Sequence, residues 1–219
     1  NLDAVVARYL HDGVFYVKNP NSIREFTEQI ASLVNIPTSI DVVFVSGGLT
    51  SSDGHPVPLY EHVLRESRYK AVIGEVPSGW FSGRGYVVID RETDLETKWT
   101  AITEGKPDFI KIFLVHSEEA ERHRAAGGSH ARKGLDPGLV HGIVARAHRA
   151  GLRVAAHVET AADFRLALSA GIDEIAHVPG WFLEPTDQDS RMLLTEEDAR
   201  LAAKAGVIVT TTTVAMKPA

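Results

Sequence analysis

The run Ala147-His148-Arg149-Ala150-Gly151-Leu152-Arg153-Val154-Ala155-Ala156-His157 decides the fold. A helical pattern ends in glycine and a short apolar, β-prone run follows. The phrase returns as Leu168-Ser169-Ala170-Gly171 before Ile172-Asp173-Glu174-Ile175-Ala176-His177. It returns again as Ala203-Lys204-Ala205-Gly206 before Val207-Ile208-Val209-Thr210, and an early copy places Gly13 before Val14-Phe15-Tyr16-Val17. Glycine just past a helix accepts the left-handed conformation that ends it. Runs this apolar suit parallel strands covered on both faces.

Working outward, the helix starts agree. Ser22-Ile23-Arg24-Glu25 reads as a capping box, and Thr160 to Asp163 and Thr195 to Asp198 read as looser ones. Asp136-Pro137 is a cap followed by proline, opening a helix to Ala150 with Leu139, Ile143, Val144 and Ala147 on one face. Asp41 to Val45 and Phe109 to Val115 are further strands, which makes six, near residues 14, 42, 109, 153, 173 and 207. Strands alternating with helices predict an α/β fold with a mostly parallel sheet. The gap from Thr50 to Gly105 holds Gly- and Pro-rich turns and a helix from about Glu92 to Thr103. No linker interrupts the chain, so residues 1–219 are read as a single domain. A dinucleotide-binding open sheet needs a glycine fingerprint at its first strand-to-helix turn. Lys18-Asn19-Pro20-Asn21-Ser22 is not one, and Gly79-Trp80-Phe81-Ser82-Gly83-Arg84-Gly85 has neither the spacing nor the preceding strand. A (β/α)8 TIM-type barrel is therefore the expected architecture.

Composition excludes other classes. With 219 residues, 44% hydrophobic and 24% charged, the chain can bury a substantial core. A net charge of −6 provides no basic stripe for gripping nucleic acid. No apolar run approaches the roughly 18 residues of a membrane span. With no cysteine there is no disulfide, thiolate metal site or thiol nucleophile, which is compatible with a cytoplasmic location. Asn1 is not an initiator methionine and no signal peptide follows it, so a processed or partial product is expected.

In parallel α/β folds the strand ends face the site. His157 and His177 both close apolar runs in an Ala-His-Val context, twenty residues apart, which is one strand–helix unit. Neighbouring barrel strands would aim the two imidazoles at one point, a geometry suited to a divalent cation. The competing reading makes each a core histidine bonded to a backbone carbonyl. Lys111 lies inside Asp108-Phe109-Ile110-Lys111-Ile112-Phe113-Leu114, a run that otherwise wants full burial. A lysine there must be paired, neutral or modified. Reaction with carbon dioxide would give a carbamate able to bridge two metals; a salt bridge or escape to the barrel rim is the alternative.

Taken in order, Asp108 to Ile112, Ala147 to Gly151 with Val154 to His157, and Ala170 to His177 resemble the middle of an amidohydrolase-superfamily metal-dependent hydrolase. The likeness is to the imidazolonepropionase-like and prolidase-like branch and runs across most of the chain. In that family a lysine, often carboxylated, ends strand four, and histidines end strands five and six. The resemblance therefore implies Lys111, His157 and His177 as metal ligands. The family also has a His-x-His pair on strand one and a general-base aspartate on strand eight. No His-x-His occurs here, and the chain reads as strands two to seven of an incomplete barrel. The two edges left open are expected to be filled by missing barrel segments or, in a homo-oligomer, by another chain.

The implied activity is hydrolysis of a C–N bond (amide, peptide or cyclic amide) with a metal-activated water. Zinc, as one or two ions, is the default metal because the ligands are nitrogen and oxygen. The expected partner is a small amide or dipeptide substrate. With no general base of its own, this chain alone is expected to be inactive or nearly so. The rival function is a non-catalytic TIM-barrel binding or assembly module. A phosphate-binding barrel using Ser46-Gly47-Gly48 ranks last, because that glycine pair comes early in the barrel.

Other residues receive lesser roles. His55, in the loop Gly47 to His55, is a candidate for substrate binding, against a surface reading. His116, His123 and His130 fall in the stretch after Lys111, where Gly127 to Gly134 could act as a lid; the default there is a solvated loop. Lys18, Arg84 and Arg132 could meet a substrate carboxylate but read as ordinary surface charge. His141 and His148, on an outer helix, are assigned no chemistry.

Overall fold

A computed structural model describes residues 2–66, 70–126, 133–180 and 189–212. In chain order the elements are α1 (Leu2–His11), β1 (Tyr16–Ser22), α2 (Arg24–Ala31), β2 (Asp41–Ser46), β3 (Gly48–Thr50), a π-helix (Leu59–Leu64), α3 (Lys70–Ile73), β4 (Tyr86–Val88) and α4 (Glu92–Glu104). There follow β5 (Phe109–Phe113), α5 (Ala120–Ala126), α6 (Pro137–Arg149), β6 (Arg153–His157), α7 (Ala161–Ala170), β7 (Glu174–Ala176), α8 (Glu196–Ala205) and β8 (Ile208–Thr210).

Every strand pairing is parallel. β1 pairs with β2, and a six-stranded sheet runs β4-β3-β5-β6-β7-β8. β2 is tied to the entry of β5 by Asp108 N donating to Phe44 O (3.0 Å) and Phe44 N donating to Asp108 Oδ2 (2.7 Å). The expected strands thus appear in the expected order, as β1, β2–β3, β5, β6, β7 and β8. This is the mixed α/β, parallel-sheet architecture of part of a TIM-type barrel.

Strand periodicity sorts β5 and β6 into two faces. Ile110, Ile112, Leu114, Val154 and Ala156 pack against Ile143, Val144 and Ala147 of α6 and Phe164 and Ala167 of α7. Each of the buried Ile, Leu, Val and Phe side chains contributes about 1.5–3 kcal/mol relative to exposure. Phe109 and Ala155 cluster with Val45 on the opposite, inner face, and by period that face also carries Lys111, Phe113 and His157.

The helix ends follow their sequence signals. Asp136 accepts from Gly138 N, and Thr160–Asp163 and Thr195–Asp198 form reciprocal capping boxes. Gly171 (φ 78°) and Gly206 (φ 67°) end α7 and α8 in the left-handed region. Arg165 grips both oxygens of Asp198 at 2.8 Å, joining α7 to α8.

Two expectations differ from the structure. The first strand is Tyr16–Ser22, later than the Val14 to Val17 run, because its register with β2 carries it on to the Ser22–Ser46 pair. Ser22 therefore belongs to a strand, and α2 starts after Ile23 with no side-chain cap. β3 and β4, three residues each, and the π-helix fall below the length at which periodicity can be read. Among the described residues no helix is long and apolar enough to cross a membrane.

Candidate functional site

Register brings the sequence candidates together. Lys111 is opposite Ala155 and Phe113 opposite His157, the last residue of β6, whose other neighbour is Ala176 of β7. His177 follows directly, with φ 72°, a backbone region that non-glycine residues seldom occupy. The His157 and His177 rings meet edge-on with centroids 4.8 Å apart. His55 joins them: its ring stacks on His157 at 4.8 Å and meets Phe113 edge-on at 5.4 Å. The His55 loop is anchored by His55 N donating to Lys133 O (2.6 Å) and Thr50 Oγ1 donating to His55 O (2.6 Å).

Lys111 is only 3% exposed. Its stem passes over Gly48, where an added Cβ would lie 3.0 Å from Lys111 Cγ and 2.6 Å from Phe113 Cε2. Gly48 is thus a packing residue beneath the lysine, and Gly48 N donates to Asn21 Oδ1 at 2.9 Å. This accounts for Gly48 without a phosphate, and Gly47 takes a left-handed φ of 74°. Nζ lies 5.4 Å from the Phe113 ring centroid.

Burial, and then the Lys18 ammonium, push the Lys111 amine from 10.5 down to about 7, with Glu174 pulling the other way. Burial and then the neighbouring His157 push His55 down to about 4, and Glu159 opposes. Burial followed by Lys111 and His177 holds His157 well below the usual imidazole range. His177 is lowered by burial and then by Lys111. At neutral pH the three imidazoles are uncharged and keep nitrogen lone pairs.

The tautomer of His177 follows from proton counting. Thr212 Oγ1 spends its only proton on Thr211 O (2.8 Å), so in the 2.6 Å contact His177 Nδ1 donates to Thr212 Oγ1. Nε2 of His177 is left as the lone-pair nitrogen. Among the described residues no three His, Asp or Glu side chains are arranged to hold a metal ion by themselves. Two neutral imidazoles beside a buried amine near neutrality do fit one, with Lys111 as third donor once its nitrogen carries an oxygen-bearing group.

Several residues were misread or missed in the sequence. His116 is not in a solvated loop: it is 3% exposed, with φ 50°, Nδ1 3.5 Å from Glu118 Oε1 and Nε2 3.8 Å from Glu159 Oε2. His123 is also enclosed, 3.3 Å from Glu119. Lys18 is not surface charge but pairs with Glu174 and lies 4.0 Å from the Phe109 ring centroid. Arg84 is surface charge as expected, paired with Glu25 (2.6 Å) and donating to Trp80 O (3.0 Å). Asp163, fully buried, accepts from the backbone N–H groups of His116, Ser117, Glu159 and Thr160 and from the Ser117 hydroxyl. Its helix-capping half was legible in the sequence; its hold on the loop after β5 was not. His148 pairs with Asp173 at 2.9 Å, away from the cluster, and His141 is exposed. His130, Arg132 and the lid stretch up to residue 132 lie outside the described residues.

No protein-family model matches the chain, and no curated protein matches it. Solved structures do. An amidohydrolase superposes over 95% of this chain and 45% of its own length, with TM-score 0.63 and 21% identity. A prolidase complexed with N-methylphosphonate-L-proline gives 0.61 and 17% over 95% and 45%, and an Aspergillus niger ochratoxinase gives 0.60 and 16% over 95% and 44%. The chain spans about 45% of the length of these structures. At such identities the likeness speaks for architecture, and the chain has an amidohydrolase-like fold.

Proposed function

We propose that the chain carries the metal-binding part of a metal-dependent hydrolase acting on a C–N bond of a small amide, dipeptide or cyclic amide. Lys111, His157 and His177 would hold the cation, zinc by default, and His55 would face the substrate. The observation that carries this reading is Lys111: a lysine buried on the inner face of the sheet, held near neutrality, beside two strand-end histidines that are also neutral. The amidohydrolase-like fold supports it.

A cation held there supplies Lewis acidity toward a scissile carbonyl and makes water acidic enough to attack near neutral pH. The chain's own residues prepare the place. The neutral Lys111 amine adds through its lone pair to the carbon of carbon dioxide and releases one N–H proton to solvent, giving a carbamate. His177 offers Nε2, because Thr212 fixes the proton on Nδ1. His55, uncharged above about pH 4, provides a hydrogen bond to substrate without setting a positive charge beside the cation.

The test is zinc content after equilibration and desalting, together with the carbamate carbon resonance in 13C-bicarbonate. His157→Ala, His177→Ala and Lys111→Met should each lose most of the zinc, and Lys111→Met should also lose the resonance. Unchanged zinc in both histidine variants would remove the reading.

A further inference from the structure

Glu159 is unused by the reading above, yet it stands between two buried imidazoles. Its Oε1 is 3.3 Å from His157 Nε2, and its Oε2 is 3.8 Å from His116 Nε2. The placement is built from the backbone. Asp163 Oδ2 accepts from Glu159 N at 3.1 Å and Thr160 N at 2.9 Å, and from His116 N across the gap at 3.1 Å. One buried carboxylate therefore holds the loops after β5 and β6 in a single relation, which sets Glu159 between the rings. Beyond His116 the arrangement continues to Glu118, whose Oε2 accepts from Thr160 Oγ1 at 3.0 Å.

An ionised carboxylate accepts hydrogen bonds and donates none. The imidazole nitrogen facing it must therefore carry the proton. We propose that Glu159 is a positioning residue, fixing His157 with its proton on Nε2 so that Nδ1 is the only lone pair this ring can offer a cation. The inference rests on His157 being a ligand. The chemistry is that of carboxylate–histidine–metal triads, in which the carboxylate sets tautomer and ring orientation and raises ligand basicity. At His177 the assignment is the opposite one: the partner is the Thr212 hydroxyl on Nδ1, and Nε2 keeps the lone pair. The two rings meet edge-on, each tethered through the nitrogen not offered to the ion.

Two measurements on the 219-residue chain test this. Long-range 1H–15N imidazole correlation spectra of the metal-free protein at pH 7.5 should show His157 as the Nε2–H tautomer. Glu159→Ala should move it to a mixture or to Nδ1–H, whereas Glu159→Gln, whose carbonyl oxygen still accepts, should retain Nε2–H. If the alanine variant does not fold, Glu159→Met keeps the bulk and removes the acceptor. In zinc titrations, loss of the acceptor should weaken binding about 10- to 100-fold, with Glu159→Gln close to wild type. A wild-type Nδ1–H tautomer, or acceptor-free variants with unchanged tautomer and zinc affinity, would overturn the proposal. His157→Ala binding zinc like wild type would instead overturn the ligand reading; the metal-free spectra judge the hold of Glu159 on the ring independently.

Discussion

The Lys18 ammonium and the Glu174 carboxylate meet across the inner face of the sheet, from β1 and β7, 156 positions apart in sequence. Burial does most to lower the Lys111 amine, and the pair adjusts it further: Lys18 opposes and Glu174 favours a charge on it. Lys18→Met removes the opposing charge and leaves Glu174, a side chain 14% exposed, in need of a cation. The Lys111 amine should then titrate above its present value of about 7, and carbamate formation at pH 7.5 should fall. NMR of 13C-methylated lysines reads the first effect and the carbamate resonance the second; an unmoved Lys111 titration would show that the pair is not coupled to it.

Lys111→Met should lose most of the zinc and yet stabilise the metal-free fold. The folded amine titrates near 7 and the unfolded one near 10.5, so between those values only the unfolded chain binds the proton and wild-type stability rises with pH. The advantage of methionine is therefore largest below pH 7 and shrinks toward pH 10.5. The scale is set by buried ion pairs, whose replacement by matched apolar side chains stabilises by about 1–4 kcal/mol. Urea denaturation at pH 6 and pH 9 measures it.

Acid should destabilise the protein before its carboxylates titrate. His55 titrates near 4 when folded and near 6.5 when unfolded, so stability is intact above 6.5 and is lost as pH falls toward 4. The loss from His55 alone is on the order of 3 kcal/mol, and His157, held low as well, adds in the same direction. His55→Phe, which keeps a ring against His157 and cannot protonate, should flatten the midpoint of thermal unfolding between pH 6.5 and 4.

Gly48→Ala places a methyl 2.6 Å from the Phe113 ring and 3.0 Å from the Lys111 stem. Both neighbours are buried, so the strain has nowhere to relax; a destabilisation of about 1–3 kcal/mol is expected. Zinc affinity should fall with it, because the displaced atoms belong to Lys111. An alanine variant matching wild type in both would show that the floor under the lysine can shift.

The sequence was most informative where chemistry sits on strands. Lys111, His157 and His177 stand out because each interrupts or closes an apolar run, and a parallel sheet brings strand ends to one side. His116, Glu159 and Asp163 lie in the turns that follow. Their relation is made by hydrogen bonds spanning 46 and 47 positions, which no local pattern records. Thr160 and Asp163 are legible as a helix cap, but a cap signal says nothing of additional donors arriving from another loop. Lys18 was misread for a similar reason: its partner lies on a strand at the far end of the chain, so alone it resembles surface charge.

Asp163 gathers five donors from the segments after β5 and β6. Turns riveted through one shared anchor cannot part company without stranding buried polar groups, so they travel as a single tile or stay still. Any accommodation of differently shaped guests must then come from the rest of the rim, and selection for new specificity would find its freedom there.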